Sequence, residues 1–261
     1  MPILKDTEDN ESSALPIYRI PPEVTLEIFT RCLPEALFPR LSVRSAPLQL
    51  SHVCTTWRNL ALRTPRLWCR ILLGTRYLEV PEDGSDYMPG AALDAMALKC
   101  WVERAGSHLM SADIRYPNYS RLTNPYLEAI HLIPPVFRVI VRNRMRWKGL
   151  KISMPGEHLL RACFVTQRNA PYLETLEVDD TFIPTVGPVK SKIRIYLPDY
   201  FAETLSTLSV PGGVVYRSFQ STSFPKLRNL FLKHSCIEEC LYLLKHCPVL
   251  VYPSTSTAWT T

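Results

Sequence analysis

Glycine is scarce in this sequence: 9 of 261 residues, about 3% against about 7% in typical proteins. Phosphate-binding loops depend on glycine, because the backbone must approach the ligand closely. The motifs G-x-G-x-x-G, G-x-x-x-x-G-K-[ST], G-x-S-x-G and H-E-x-x-H are all missing. These absences argue against a nucleotide-dependent or hydrolytic enzyme, and we predict no catalytic residues and no cofactor.

Long apolar runs and an export signal are missing as well. No segment approaches the roughly 18 uninterrupted apolar residues of a membrane span. The opening MPILKDTEDNESS carries acids where a signal peptide has a basic stretch and an apolar core. We therefore expect reduced thiols, no membrane partner, and a location in the cytoplasm and/or the nucleus.

The charge balance is also mild. Thirty basic and 24 acidic residues give a net charge of +6, short of the strongly basic balance of a dedicated nucleic-acid binder. Net charge alone therefore nominates no partner.

Proline is abundant instead, with 23 residues, and it brackets the first clear element. An amphipathic helix is predicted over 22–33, since Pro21-Pro22 suits a first helical turn and Pro34 ends the pattern. The stretch 34–47 has no clean period and is predicted to be a loop. A second apolar stripe, from Leu50 to Ala61, predicts one helix that ends before Thr64-Pro65.

These two elements carry the motifs of a known family. IPPEVTLEIFTRCLP, residues 20–34, has an Ile-Pro-Pro-Glu start, an Ile-Phe pair and a proline end. APLQLSHVCTTWRNLALRTPRLW, residues 46–68, has Val-Cys-x-x-Trp-Arg and a closing Thr-Pro-x-Leu-Trp. Together they resemble an F-box, over about a fifth of the chain. The chain is most similar to fungal F-box proteins with variable, leucine-rich-repeat-like C-terminal regions, but it has Ile20 where leucine is usual and a long 34–47 connection.

The resemblance implies docking on the Skp adaptor of a cullin-RING ubiquitin ligase. Apolar anchors spaced i, i+3, i+4 and i+7 suit helix-in-groove recognition, and they suit packing on the helices' own core equally well. We expect these residues to do both, because a unit of about 50 residues has little core of its own. The adaptor-binding residues implied are Ile20, Pro21, Pro22, Glu23, Val24, Ile28, Phe29, Leu50, Val53, Cys54 and Trp57.

A weak cadence, apolar-x-x-apolar-x-apolar, repeats through the rest of the chain. The alternation places two apolar side chains on one face of a short strand. The four clear copies start at 147, 173, 205 and 227, spaced by 26, 32 and 22 residues, around the 20–29 of leucine-rich repeats. A degenerate copy is Leu109-x-x-Ala112-x-Ile114, and Cys247-Pro248-Val-Leu250 opens a further strand. Helix-like segments are predicted at 91–105, 156–169 and 237–246, so the pattern indicates stacked strand–helix units.

The predicted fold class is α+β, a small all-α F-box helical module followed by an irregular leucine-rich-repeat-like α/β array. The predicted organisation is a disordered tail over 1–14, the F-box over 15–73, a linker over 74–90 and the repeat-like region over 91–261. The chain ends in VYPSTSTAWTT without a polar capping repeat, so we expect the repeat-like region to be incomplete at its C-terminus.

A cluster of histidines and cysteines is the best metal candidate. It comprises His234, Cys236, Cys240, His246 and Cys247. Zinc takes such ligands, but no C-x-x-C is present, and Cys240 lies on an apolar helical stripe where a free cysteine acts as a small hydrophobe. Core packing is the favoured interpretation and we predict no metal.

The segment RVIVRNRMRWK concentrates positive charge without an acid. Its cations are Arg138, Arg142, Arg144, Arg146 and Lys148. The favoured interpretation is the solvated face of a helix; docking of a phosphorylated target or of nucleic acid are the alternatives. These five residues are weak candidates for substrate binding.

We therefore expect a non-catalytic substrate-recognition subunit of a Skp-cullin-F-box ubiquitin ligase. Its F-box would bind the adaptor and its C-terminal region an unidentified protein target, raising the target's local concentration near the conjugating enzyme. The alternatives are an interaction scaffold outside a cullin ligase, and a phosphate or nucleic-acid reader that uses residues 138–148.

Overall fold

A computed structural model describes most of the chain in nine segments. They are residues 20–34, 38–74, 88–116, 134–154, 170–180, 203–211, 224–233, 245 and 247–256. The predicted tail over 1–14, the predicted helix over 156–169 and nearly all of the predicted helix over 237–246 lie outside the described residues.

The described residues combine helices with one parallel sheet. The helices are α1 (Pro22–Arg31), α2 (Leu48–Ser51), α3 (Thr55–Leu62), α4 (Met88–Arg104) and α5 (Pro134–Arg142), with single 3₁₀ turns at Pro65–Trp68 and Arg144–Arg146. The strands are β1 (Arg70–Leu73), β2 (Met110–Arg115), β3 (Trp147–Met154), β4 (Thr175–Asp180), β5 (Thr207–Pro211), β6 (Asn229–Lys233) and β7 (Tyr252–Ser256). Every strand is parallel to its neighbours, and the strand order in the sheet equals the order in the chain, β1 to β7.

The predicted cadence is confirmed as strand structure. Its copies pair in register, so that the central apolar residue of each strand lies beside that of the next. This buried row is Ile71, Ala112, Leu150, Leu176, Leu208 and Leu230. Such a row buries apolar surface between neighbouring units that no unit could bury alone. The further strand predicted after Cys247 is also present, as β7.

The degenerate copy starts one residue later than predicted. Leu109 is 38% exposed, whereas Met110 is 1% exposed and pairs with Trp147. A register shift between Met110 and Ser111 brings the second strand back into step, so Ala112 and Ile114 are buried as predicted. A bulge of this kind changes which neighbour enters the core without breaking the sheet.

The second predicted helix is wrong as a single element. It is divided into α2 and α3, because Cys54 between them has an extended backbone, with φ −156° and ψ 172°. The Cys54 sulfur accepts a hydrogen bond from the Trp57 N–H at 3.4 Å and so caps α3. The Arg58 guanidinium bridges the break by donating to the Ser51 carbonyl at 2.9 Å. Leu50 and Trp57 therefore belong to separate helices.

Two other predicted helices are confirmed, with small shifts at their ends. The first ends at Arg31, two residues before its predicted end. The helix predicted over 91–105 starts at Met88, inside the segment predicted to be a linker. At the start of that segment Gly74 has φ +81°, and a Cβ there would lie 2.1 Å from the Arg115 carbonyl oxygen. Only glycine fits this close approach of β1 to β2.

The core continues without a break from the helices into the sheet. Trp68, which closes the motif resemblance, is fully buried, and its indole N–H donates to the Ala61 carbonyl at 2.9 Å. Trp101 of α4 packs edge-on against the Trp68 ring, with 4.7 Å between the ring centroids. The Arg104 guanidinium lies 4.4 Å from the centroid of the Trp68 ring. One cluster of buried side chains extends from Phe29 to Cys247.

The loop over 38–47 covers the first edge of the sheet. The Leu72 N–H donates to the Pro39 carbonyl at 2.9 Å, and Arg40 forms a parallel bridge with Leu72. These contacts cover part of the edge of β1 and so make pairing with another chain there less favourable. None of the helices in the described part of the chain is long and apolar enough for a membrane crossing.

Candidate functional site

The predicted adaptor-binding residues fall into two groups in the structure. Phe29 and Leu50 are buried. Trp57 packs against the same core, with its ring 4.9 Å from that of Phe29 at a 64° angle. Cys54 is half-buried and holds the cap of α3. These four residues hold the helices together, because each is occupied by contacts within the chain.

The other predicted residues lie at the surface. Three are apolar: Val24 and Ile28 on α1, with 49% and 39% exposure, and Val53 in the turn between α2 and α3, with 59%. Pro21, Pro22 and Glu23 are exposed at the start of α1, and Ile20 is half-exposed. We call Val24, Ile28 and Val53 the helical apolar surface. Exposed apolar side chains at these positions can bury area against a partner.

A shallow depression separates α1 from α3. It has a volume of about 260 Å³ and is lined by Pro22, Thr25, Thr56, Trp57, Asn59, Leu60 and Arg63. One wall is the edge of Trp57, and the other is the first turn of α1, where the Thr25 hydroxyl donates to the Pro21 carbonyl at 3.2 Å. This hydrogen bond stabilises the first turn of α1 on that side of the depression.

The basic segment does not form one free surface. Arg146 turns inward, where it donates to the Val102 carbonyl at 3.1 Å and to the His108 carbonyl at 3.3 Å. Burial lowers the pKa of its guanidinium. Lys148 lies 3.5 Å from the Glu174 carboxylate.

The remaining cations of the segment are Arg138, Arg142 and Arg144. Arg138 and Arg142 are exposed on α5, and Arg144 is half-exposed in the following turn. Because Arg146 joins the end of α4 to the start of β3, tests of the basic segment belong at Arg138 and Arg142.

The outward face of β2, β3 and β4 is a surface that sequence reasoning did not identify. Its charged residues alternate in sign across the strands, and its lining includes Asp113, Arg115, Lys151, Ser153, Glu177, Asp179 and Ser209 around a depression of about 290 Å³. We call this the sheet face. Its residues come from positions up to about 100 apart in the chain, brought together by strand register.

Charges on the sheet face are paired with one another. The Arg115 guanidinium donates to both Asp113 oxygens, at 2.9 and 2.6 Å. The hydrogen bond with Asp113 raises the pKa of Arg115, and the charge of Glu177 adds to it. Lys151 and Glu177 are 2.7 Å apart. A surface of paired charges and hydroxyls offers specific hydrogen bonds to a protein partner but little net attraction for a polyanion.

Nucleophile and metal chemistry find little support among the described residues. Burial raises the pKa of the Cys69 thiol, with Arg146 and Arg66 opposing it, and burial raises the pKa of Cys247 to about 11. Both thiols stay protonated at neutral pH, which disfavours attack. Within the described segments no three His, Cys, Asp or Glu side chains come together as metal ligands. Of the predicted cluster only Cys247 is described; His234, Cys236, Cys240 and His246 lie outside.

No known family model, curated protein or solved structure matches the chain.

The sheet begins with one strand, β1, that the repeated apolar pattern did not predict. Trp68-x-x-Ile71-x-Leu73 has the same form as the recognised copies, and all three residues are buried. The spacing was present in the sequence, but it overlaps the Thr-Pro-x-Leu-Trp ending of the motif. The same tryptophan therefore closes the helical region and opens the sheet.

Proposed function

We propose that this chain is a non-catalytic recognition subunit of a Skp-cullin-F-box type ubiquitin ligase. In this proposal the helical apolar surface docks on the Skp adaptor, and the region of the sheet binds a protein target. The motif order over residues 20–68 suggests the adaptor. The observation that carries the proposal is that Val24, Ile28 and Val53 remain exposed at motif positions while Phe29 and Trp57 are used internally.

The continuous core supports the second half of the proposal. A recognition subunit acts by raising the concentration of its target near a conjugating enzyme. That effect is largest when the adaptor-binding and target-binding parts keep a constant separation. Trp68 and Trp101, packed together at 4.7 Å, join the helices to the sheet and provide such a rigid connection.

The test is co-purification of the full chain with the Skp adaptor. Full burial of a valine or isoleucine contributes about 1.5–3 kcal/mol, and roughly half of that area is still available on these side chains. Replacing Val24, Ile28 and Val53 by serine is thus expected to cost about 2–4 kcal/mol of binding, or roughly 30- to 1,000-fold in Kd. Because the side chains are exposed, the thermal midpoint of the chain should barely change.

Met96→Ser is the matched control, since Met96 is 65% exposed on α4, outside the helical apolar surface. It should leave adaptor binding unchanged. Adaptor binding by the triple serine variant at the wild-type level would contradict the proposal. Probing the same pull-down for a cullin separates a ligase subunit from a scaffold, because a scaffold would bring down the adaptor alone.

A further inference from the structure

A repeated turn lies at the amino-terminal end of several strands. Four of the seven x-Pro-x-Leu sequences in the chain, at 64–67, 170–173, 224–227 and 247–250, lie just before β1, β4, β6 and β7, and these four are the copies of the turn. In each copy the leucine N–H donates to the carbonyl three residues earlier, at 3.1–3.4 Å. In the last three copies the first residue of the turn, Ala170, Phe224 or Cys247, is buried. The turn is therefore a fixed corner that anchors both of its ends in the core.

The position between proline and leucine varies and points outward. It is Tyr172, Lys226 and Val249 in the last three copies, and all three are exposed. Tyr172 and Val249 keep 52% and 46% of their surface accessible. Because the backbone of the turn is already fixed, binding through its exposed residue has to order only the side chain.

A backbone ladder aligns the residues that follow these turns. In this ladder each backbone N–H donates to a backbone carbonyl on the preceding strand unit, at 2.8–2.9 Å. The donor and acceptor pairs are Glu174 to Lys148, Ser206 to Glu174, Arg228 to Ser206 and Val251 to Arg228. Their side chains start about 4.8 Å apart, one strand after another. The backbones of Glu174 and Arg228 are thus about 10 Å apart with Ser206 between them, and the Glu174 carboxylate pairs with Lys148 and not with Arg228.

The turns and the ladder enclose a groove of about 480 Å³. We call it the edge groove, defined by Leu109, Tyr172, Thr204, Lys226, Arg228 and Val249. Its apolar side chains are accessible, and its cations Lys226 and Arg228 have no carboxylate partner among the described residues. The carboxylate of the lining, on Glu174, is held by Lys148. Among the described residues of the lining, the uncompensated charge is therefore positive.

One residue of the groove lining, Thr204, has a buried hydroxyl. Thr204 Oγ1 is shielded from solvent and makes no hydrogen bond to any described residue. A buried polar atom without a partner costs about 1–3 kcal/mol. Because this oxygen is shielded, a ligand in the groove would reach it only if the Thr204 side chain turned toward the groove.

We propose that the edge groove binds an acidic, apolar peptide segment of an unmodified protein target, with carboxylates on Lys226 and Arg228 and separate apolar side chains against Tyr172 and against Val249. The assignment rests on the proposed function, because the occupant is the captured target. It places recognition at the ends of the strands rather than on the sheet face, where charges are already paired.

Fluorescence anisotropy of the full chain tests the proposal. The probes are three labelled nine-residue peptides in which leucines are interleaved with glutamates, glutamines or lysines. The glutamate peptide should bind at least about tenfold more tightly than the glutamine peptide, and salt should weaken its binding. The lysine peptide should bind most weakly.

Two variants locate the binding. Lys226→Glu with Arg228→Glu should lose at least about tenfold in affinity for the glutamate peptide. The matched control, Arg44→Glu with Lys99→Glu, makes the same charge change at two exposed positions outside the groove lining and should lose less than about twofold. Tyr172→Ser with Val249→Ser should weaken both the glutamate and the glutamine peptide by a similar factor, because it removes the apolar contact.

Equal binding of the three peptides, or equal losses in the two charge-reversed variants, would overturn the proposal. Binding only when the glutamates are replaced by phosphoserines would overturn it in favour of a phosphorylated target. The Lys226→Glu, Arg228→Glu variant should still co-purify with the Skp adaptor. Loss of peptide binding is therefore distinguishable from a failure of the proposed function, which would appear as absent adaptor binding in the wild-type chain.

Discussion

Trp68 offers the sharpest test of whether the helices and the sheet are one folding unit. The side chain is fully buried, its N–H is bonded to the Ala61 carbonyl, and its ring contacts Trp101 and Arg104. Trp68→Ala removes all of these contacts and leaves a cavity, at a cost of about 3–5 kcal/mol. Typical domains are stable by only about 5–15 kcal/mol.

Hydrogen exchange in urea, read by mass spectrometry, reports on α1 and β3 separately. With a slope of about 2–3 kcal/mol per molar urea, the loss corresponds to a midpoint lower by about 1–2.5 M. Both elements should lose protection at the same urea concentration, in the wild type and in Trp68→Ala, because the buried cluster spans both. Trp68→Phe, which keeps most of the ring but not the N–H, should have an intermediate midpoint.

Tyr172→Ala is the control, since this aromatic residue is half-exposed; its midpoint should change by less than about 0.5 M. The reasoning would be refuted if Trp68→Ala lowered the midpoint of α1 and left that of β3 in place. That result would mean that the helices fold apart from the sheet, and the rigid connection between the two proposed binding parts would be lost.

Three further predictions concern single positions. Gly74→Ala should lower the free energy of unfolding by about 2–4 kcal/mol in chemical denaturation, because the new Cβ would collide with the Arg115 carbonyl. Gly106 also has a positive φ, but no atom lies near the position of its Cβ, so Gly106→Ala should lower the same free energy by only about 1–2 kcal/mol. Arg146→Gln should cost about 1.5–3 kcal/mol by the same measurement, since two carbonyls lose a charged donor, and a cost below about 0.5 kcal/mol would show that its inward contacts are unimportant. Cys247 has its pKa raised from 9.0 to about 11, so the folded state holds the proton more tightly than the unfolded state. The wild type should therefore lose stability more steeply than Cys247→Ala as pH rises from 9 to 11, and parallel pH profiles would contradict this.

Local patterns in the sequence determined most of the regular elements. The proline pair before α1 and Pro34 after it delimit a helix with little help from distant residues, because proline acts on its own and adjacent backbone. The apolar alternation in β3 to β6 likewise predicts strands, since one face of each must be buried. The resemblance to an F-box rests on the same kind of local order.

The division of the second helix could not be read from the apolar stripe. Leu50, Val53 and Trp57 have helical spacing, yet Cys54 takes an extended conformation and caps α3 with its sulfur. Apolar spacing depends only on which residues are apolar. A single extended capping residue such as Cys54 changes the direction of the chain and leaves that spacing unchanged. For the same reason, apolar spacing could not predict which apolar residues are buried. Phe29 packs against Trp57, whereas the adjacent Ile28 is exposed.

Only the tertiary structure assembled the sheet face and the proposed edge groove. Asp113, Lys151 and Glu177 become neighbours because β2, β3 and β4 pair in one particular register, and Tyr172, Lys226 and Val249 meet because their turns stack at one edge. Side chains from separate repeats carry no local signal of their proximity. The sequence therefore determined the strands, their turns and the amphipathic helices, whereas strand pairing and core packing decided which charges are paired and which remain free for a partner.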